Sequence, residues 1–201
     1  NNLTITNSHA DNNGGGLYSK NLFTYTNFTF INNSAIQGGG LYWDVADVEI
    51  KDMTFINNTA TEGGAIYIAK DGAKVLNSNF TDNGADYGGA IYVYSSSVEV
   101  VYNNFTKNSA TVHGGAIYVA NTQVIKNCNF DASKADGDGG AVHVASGLKV
   151  LIQDSTFTNS HANNGGAVYY AGTNDMTKRL TIINDTFFKN IAVHNGGAVL
   201  R

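Results

Sequence analysis

One cassette of about 25 residues recurs along this 201-residue chain and leaves few folds open to it. Two glycines, a small residue, an aliphatic and usually a tyrosine occur together eight times, with the first glycine at Gly14, Gly38, Gly63, Gly88, Gly114, Gly139, Gly165 and Gly196. The intervals are 24, 25, 25, 26, 25, 26 and 31 residues, and the motif takes 18 of the 23 glycines. Upstream stands Phe-x-x-Asn, at Phe30–Asn33, Phe55–Asn58, Phe80–Asn83, Phe105–Asn108 and Phe187–Asn190, with degenerate copies at Ile5–Ser8, Phe130–Ser133 and Phe157–Ser160. Two residues beyond that Asn or Ser comes an alanine in every copy, from Ala10 to Ala192. A repeat of this length is one supersecondary unit that buries its apolar face by stacking on its neighbours.

A third segment alternates with period two, as in Val48-x-Ile50-x-Asp52, Val98-x-Val100 and Leu180-x-Ile182-x-Asn184. Alternation of β-branched residues means strand. Each cassette therefore predicts three short strands: the alternating one, the Phe one and the Gly-Gly-Ala-Ile-Tyr one. Parallel pairing of successive coils at about 4.8 Å makes a rod about 35–40 Å long. Because parallel crossovers are right-handed, the expected fold is an all-β, right-handed parallel β-helix of about eight coils. A leucine-rich repeat lacks its L-x-x-L-x-L skeleton here, a propeller blade needs about 40 residues, and an antiparallel sandwich would show no single repeated cassette.

Residues 1–201 read as a single β-helix domain, with the long last interval placing a surface-loop insertion at 172–179. Three columns are expected inside: Leu17, Leu41, Ile66, Ile91, Ile117, Val142, Val168 and Val199; the phenylalanines from Phe30 to Phe187; and Tyr25, Ile50, Val75, Val100, Ile125, Ile152 and Ile182. The glycines suit a sharp corner, with positive φ and close approach of neighbouring coils. Two Asn-rich columns, Asn33/Asn58/Asn83/Asn108 and Asn27/Asp52/Asn77/Asn127/Asp154/Asn184, suit corners too. Asn tolerates the left-handed region and its amides can bond from coil to coil.

Composition removes several functions. Charged residues are 14% of the chain against about 25% in typical domains, the net charge is −4, and Arg179 and Arg201 are the only arginines. Nucleic acid, which needs clustered Lys and Arg, is not an expected partner. No apolar run approaches a membrane-spanning length, so no membrane insertion by this segment is expected. The single cysteine, Cys128, supplies neither a disulfide framework nor a Cys-based zinc site. Neither end carries a polar capping coil. The expectation is a fragment of a longer repeat protein or, failing that, ends that pair head to tail into a filament.

The paired motifs Phe-x-x-Asn and Gly-Gly-Ala-Ile resemble the repeat of chlamydial polymorphic outer membrane proteins over nearly the whole length. The Asn-rich, Pro-free style resembles the adhesin-like surface proteins of methanogenic archaea. Ser133 and Ser160 for Asn, Ile5 for Phe, and His143 and Leu200 for Tyr are departures. The resemblance implies an extracellular cell-surface protein whose β-helix is a stalk or adhesive shaft. It implies no catalytic residue and no cofactor.

If Ile66 points inward, Tyr67 points outward. The column Tyr18, Tyr42, Tyr67, Tyr92, Tyr118, His143, Tyr169, Leu200 is then an exposed ladder, and its six tyrosines are the candidate contact face. Tyr joins an apolar body to a polar tip and suits a sugar or a protein partner; the competing roles are sheet stabilisation or an inward phase. The corner before the glycines is variable and polar: Asn13, Gln37, Glu62, Tyr87, His113, Asp138, Asn164 and Asn195. Around it Asp86, His113, Asp136 and Asp138 make a weak candidate metal cluster. Asp86 and Asp136 also echo the carboxylate pair of an inverting glycosidase; a scattered acidic rim is the simpler reading. Of seven sequons, Asn32 and Asn57 are the glycosylation candidates expected to be exposed. The expected function is a non-catalytic, adhesin-like surface module. Its partner would be a surface protein or glycan of another cell, or further copies of itself end to end. The alternatives are a purely structural rod or filament subunit, and a carbohydrate-active β-helix enzyme.

Overall fold

The computed structural model describes residues 2–21, 26–145, 147–172, 175, 177 and 179–201. The chain winds as a right-handed parallel β-helix. Eight phenylalanine-type strands, from Leu3–Thr6 to Thr186–Phe188, form one sheet, and eight strands after the glycines, from Leu17–Ser19 to Val199–Leu200, form another. Eight rungs enclose about seven complete turns. Among the described residues the alternating segments form a six-stranded sheet from Glu49–Lys51 to Leu180–Ile183.

A fourth sheet was not expected. Five strands between Gly84–Tyr87 and Ile191–Asn195 run through the invariant alanines, and in earlier rungs the same path continues as isolated bridges such as Ser34↔Thr59. These strands escape a periodicity reading because each buries little more than one methyl group. Ala110, Ala135 and Ala162 pack there as a small core of their own.

The register is cassette on cassette: Phe30 faces Phe55, Ile91 faces Ile117, and Val100 faces Ile125. The phenyl rings from Phe30 to Phe157 are fully buried, stacked with centroids 4.6–5.0 Å apart, and Phe187 extends the stack while half-buried. Burial of each such side chain contributes about 1.5–3 kcal/mol. The aliphatic columns lie inside as expected from Leu41 to Val168 and from Ile50 to Ile152. Leu17, Ile182 and Val199 pack against them at the ends. Tyr25 lies outside the described residues, as do 173, 174, 176 and 178 of the 172–179 insertion.

The glycine corner needs both of its glycines. Gly88 has φ of 63°. A Cβ on Gly89 would stand 2.2 Å from the Gly115 carbonyl oxygen and 2.3 Å from that of Ser109, inside the backbone of the next rung.

The two Asn-rich columns do different jobs. Asn27, Asp52, Asn77, Asn127, Asp154 and Asn184 hold the left-handed corner as expected. Asn33, Asn58, Asn83 and Asn108 stand at their corner and bond from coil to coil as expected, but they do not hold its left-handed position, which corrects that part of the reading. The left-handed residue is the one before, such as Asn32, Asn57, Asp82 or Lys107, and the next side chain turns inward, fully buried. There each amide bonds the next rung: Asn58 Nδ2 donates to Asn83 Oδ1 at 3.0 Å and to the Phe30 carbonyl at 3.0 Å, while Asn58 Oδ1 accepts the Asn33 main-chain N–H at 3.0 Å. The other corner repeats this plan with Ser78, Asn103, Cys128 and Ser155. Cys128 is buried, its thiol 3.2 Å from the Lys126 carbonyl and 3.4 Å from that of Val100. Burial pushes that thiol up to about 12, so this cysteine acts as a small internal donor.

Candidate functional site

The tyrosine column leaves the core as alternation demands: in Ile91–Val93, Ile91 and Val93 are buried and Tyr92 between them is half-buried on the outside. Parallel register then stacks the rings. Centroids lie 5.1 Å apart from Tyr42 to Tyr67 and from Tyr67 to Tyr92, and 5.0 Å apart from Tyr92 to Tyr118, Tyr118 to His143 and His143 to Tyr169. Tyr18 meets Tyr42 edge-on at 4.9 Å and donates its hydroxyl to Asp44 at 3.1 Å.

This ladder is less open than its sequence implied. Tyr18 is 40% exposed, but Tyr67 and His143 are only 5% exposed. The rings cover one another, and neighbouring columns close the flanks: Tyr94 lies 6.2 Å from Tyr67, and Tyr87 lies 5.4 Å from Tyr118. A ring whose two faces are taken by its neighbours has only its edge and polar tip to offer. The expected stacking of sugars on these rings therefore does not suit the interior of the ladder. Desolvation, followed by the Glu62 charge, raises the phenols of Tyr67 and Tyr92 well above the usual tyrosine value. Tyr118 is raised by burial and then Tyr87, and Tyr42 by burial and then Asp44.

The polar corner column runs beside the ladder. Gln37 donates to Glu62 at 2.7 Å, Asn164 Nδ2 to Asp138 Oδ1 at 2.8 Å, and Asn195 Nδ2 to Asn164 Oδ1 at 3.1 Å. Of the expected metal cluster, the structure gathers only His113 and Asp138. Asp86 accepts the Thr111 hydroxyl at 2.5 Å, and Asp136 pairs with Lys134 at 2.8 Å. The third member of the group is His143, which the sequence reading assigned to the ladder; one donor atom from each of His113, Asp138 and His143 lies within 4.8 Å of the others. Separate columns in the repeat hid this meeting. The signal that could have found it is the Tyr-to-His departure one rung after a corner histidine. Burial, then the neighbouring His113, pushes His143 down to about 4, so this ring is held neutral.

Asn32 and Asn57 are exposed, as expected for glycosylation candidates. Their amides already form an outer ladder: Asn57 Nδ2 donates to Asn32 Oδ1 at 2.8 Å, and Asn32 Nδ2 to Asn7 Oδ1 at 3.2 Å. On the alternating sheet a shallow groove lined by Val124, Leu151, Thr181 and Ile183 is mainly apolar, a feature the sequence reading did not single out. Among the described residues no helix is long and apolar enough to cross a membrane.

Comparison with curated proteins and with solved structures gave no match. A family model described as "Right handed beta helix region" matches residues 16–187. With the cassette register, the four parallel sheets and a family match over most of its length, this chain belongs to the right-handed β-helix family.

Proposed function

We propose that this β-helix is a non-catalytic shaft and binding module of an extracellular, cell-surface protein, and that the ridge of tyrosine edges from Tyr18 to Tyr169 is its contact face. The observation that carries this reading is the outward aromatic stack maintained from rung to rung along the rod. An outer column kept aromatic presents a linear row of edges and hydroxyls, a surface that suits an extended partner lying along the rod. The resemblance of the cassette to chlamydial polymorphic outer membrane proteins and archaeal adhesin-like proteins supports the surface setting. Engagement of Asp86 and Asp136 by separate partners favours the acidic rim as a solvated edge.

A structural rod is the second reading, favoured by the mutual stacking that closes the ring faces. The two separate by binding. The isolated chain and its Tyr92→Ser/Tyr118→Ser double variant are passed over arrays of extracellular proteins and of glycans. Binding by the parent that weakens at least tenfold in the folded variant supports the contact face. No binding, or binding indifferent to the tyrosines, leaves the rod.

A further inference from the structure

The corner residue of one rung lies beside the ladder residue of the next, as Tyr87 does beside Tyr118. At the following step both residues are histidine. The His113 and His143 rings stack at 4.4 Å with 21° between their planes. His113 reaches across because two successive corners, Thr111-Val112-His113 and Asp136-Gly137-Asp138, are one residue longer than the corners after Ala35, Ala60 and Ala85. Gly137 gives the ring room, since a Cβ there would come 2.8 Å from His113 Nδ1. The same nitrogen accepts the Asp138 main-chain N–H at 3.1 Å, which sets the ring beside the carboxylate. Asn164 holds Asp138 Oδ1, and Oδ2 faces His113 Nδ1 at 4.0 Å.

His143 is the second, independent observation. It is 5% exposed, clamped between Tyr118 and Tyr169 beside the Asp138 main chain, and its buried Nδ1 makes no well-formed hydrogen bond among the described residues. A buried polar atom left without a partner calls for an explanation, and an unprotonated imidazole nitrogen is a metal ligand.

We propose that His113, Asp138 and His143 form a binding site for one divalent transition-metal ion of the zinc class, with one nitrogen from each imidazole, one Asp138 oxygen and water as ligands. Two imidazoles with one carboxylate suit Zn²⁺, Co²⁺, Ni²⁺ or Cu²⁺, whereas Ca²⁺ and Mg²⁺ prefer all-oxygen shells. Ligand atoms on a tetrahedral zinc-class ion lie about 3.4 Å apart, so a group already within 4.8 Å must close by about an ångström. His113 and Asp138 remain partly exposed, while His143 is fixed by its neighbours. Because an imidazole nitrogen ligates in the plane of its ring, the His113 ring must swing out of its stack on His143 to reach the same ion. The Asn164 bond to Asp138 is the outer support that metal-ligating carboxylates usually have.

The test titrates the purified chain, freed of metal by chelator, with Co²⁺ and Zn²⁺, following the visible Co²⁺ bands and the thermal midpoint. The expected result is one ion per chain, a midpoint that rises with free metal, and no response to Ca²⁺ or Mg²⁺. His143→Tyr, which restores the ladder residue of the other rungs, and Asp138→Asn should each weaken Co²⁺ binding at least tenfold. His9→Asn, which removes the exposed His9–Asp11 pair, should leave it unchanged. Absence of binding by the parent overturns the proposal. So does binding that survives both site variants, or that His9→Asn abolishes.

Discussion

Residues 30–110 and residues 130–162 are built on the same cassette, yet they satisfy their polar groups differently. In the first stretch four buried asparagines bond in series from Asn33 to Asn108, and tyrosine follows tyrosine in the outer ladder. In the second stretch serine replaces asparagine at 133 and 160, and histidine replaces tyrosine at 143. Buried polar atoms without hydrogen-bond partners appear there, at Ser133 Oγ, His143 Nδ1 and His161 Nδ1. The backbone takes no notice: Phe105, Phe130 and Phe157 stay stacked at 4.7 and 4.6 Å. Apolar stacking and the main-chain ladder therefore set the rungs, while the asparagine column adds stability within a frame already fixed. Where the cassette departs from its own consensus, local rules give way without a gain to the fold, which is where sites are sought.

The greatest loss should come from the part that both stretches share. Phe80→Ala and Phe130→Ala should each cost about 3–5 kcal/mol, the range for a phenyl group lost from a packed core. Denaturant melts of the two variants should agree. A loss confined to Phe80→Ala would show that the second stretch does not share the core, and the comparison would fail.

The next effect tests the difference. Asn83 Oδ1 accepts two bonds from Asn58, and its amide reaches Phe55 and Asn108. Asn83→Ser should cost about 2–4 kcal/mol, because buried partners are left unpaired at about 1–3 kcal/mol each. Ser133→Ala, in the same column, should be close to neutral, since its hydroxyl has no partner to lose. Equal losses in the two would mean that the asparagine bonds contribute nothing beyond the space they fill.

These contrasts separate what sequence reasoning can reach from what it cannot. The three inner columns were legible because Phe, Ile and Val repeat at coil spacing and alternate with polar residues. The corner column was legible too, and the bridges Asn13↔Gln37, Gln37↔Glu62 and Glu62↔Tyr87 reproduce it. The alanine sheet was not, because one small buried residue per strand leaves no alternation. The left-handed position expected at Asn33 and its equivalents lies one residue earlier. That position accepts Lys107 and Ala132 as well as asparagine, so composition does not mark it. The meeting of His113 with His143 joins two columns and two rungs, a distance that one-dimensional spacing does not encode.

A smaller effect concerns the tyrosine part of the ladder, set against the rung where His143 interrupts it. Tyr67 and Tyr92 have phenols raised above the usual tyrosine value of about 10, chiefly by burial. Below that value both folded and unfolded chains keep the proton. Above it the unfolded chain ionises first, so stability should fall as pH rises from about 10. A thermal midpoint that declines above pH 10, and declines less in Tyr92→Phe, is the expected result. Tyrosinate absorbance that develops fully before any loss of structure would mean that the ladder is open to water.

The smallest effect is a gain, and it would carry the consensus of the first stretch into the second. Ser133 is buried at the position after Asn108 in the asparagine column. In the first stretch each asparagine oxygen accepts the main-chain N–H and the amide of the rung before, as Asn108 Oδ1 does from Asn83 at 3.0 Å each. Its nitrogen donates to a phenylalanine carbonyl, as Asn108 does to Phe80 at 2.9 Å. Ser133→Asn supplies the same acceptor to Asn108 and the same donor to Phe105. The longer side chain loses rotamer freedom, which offsets part of the gain. A net stabilisation of about 1 kcal/mol remains for the new hydrogen bonds, and in a chain of this size that raises the thermal midpoint by about 2–4 °C. The gain should vanish when Ser133→Asn is combined with Asn108→Ala, because the two act as one bonded unit. A Ser133→Asn protein less stable than the parent would reverse the reading of the second stretch: its interior would then be packed around serine, and the break in the ladder would be a fitted feature of that rung.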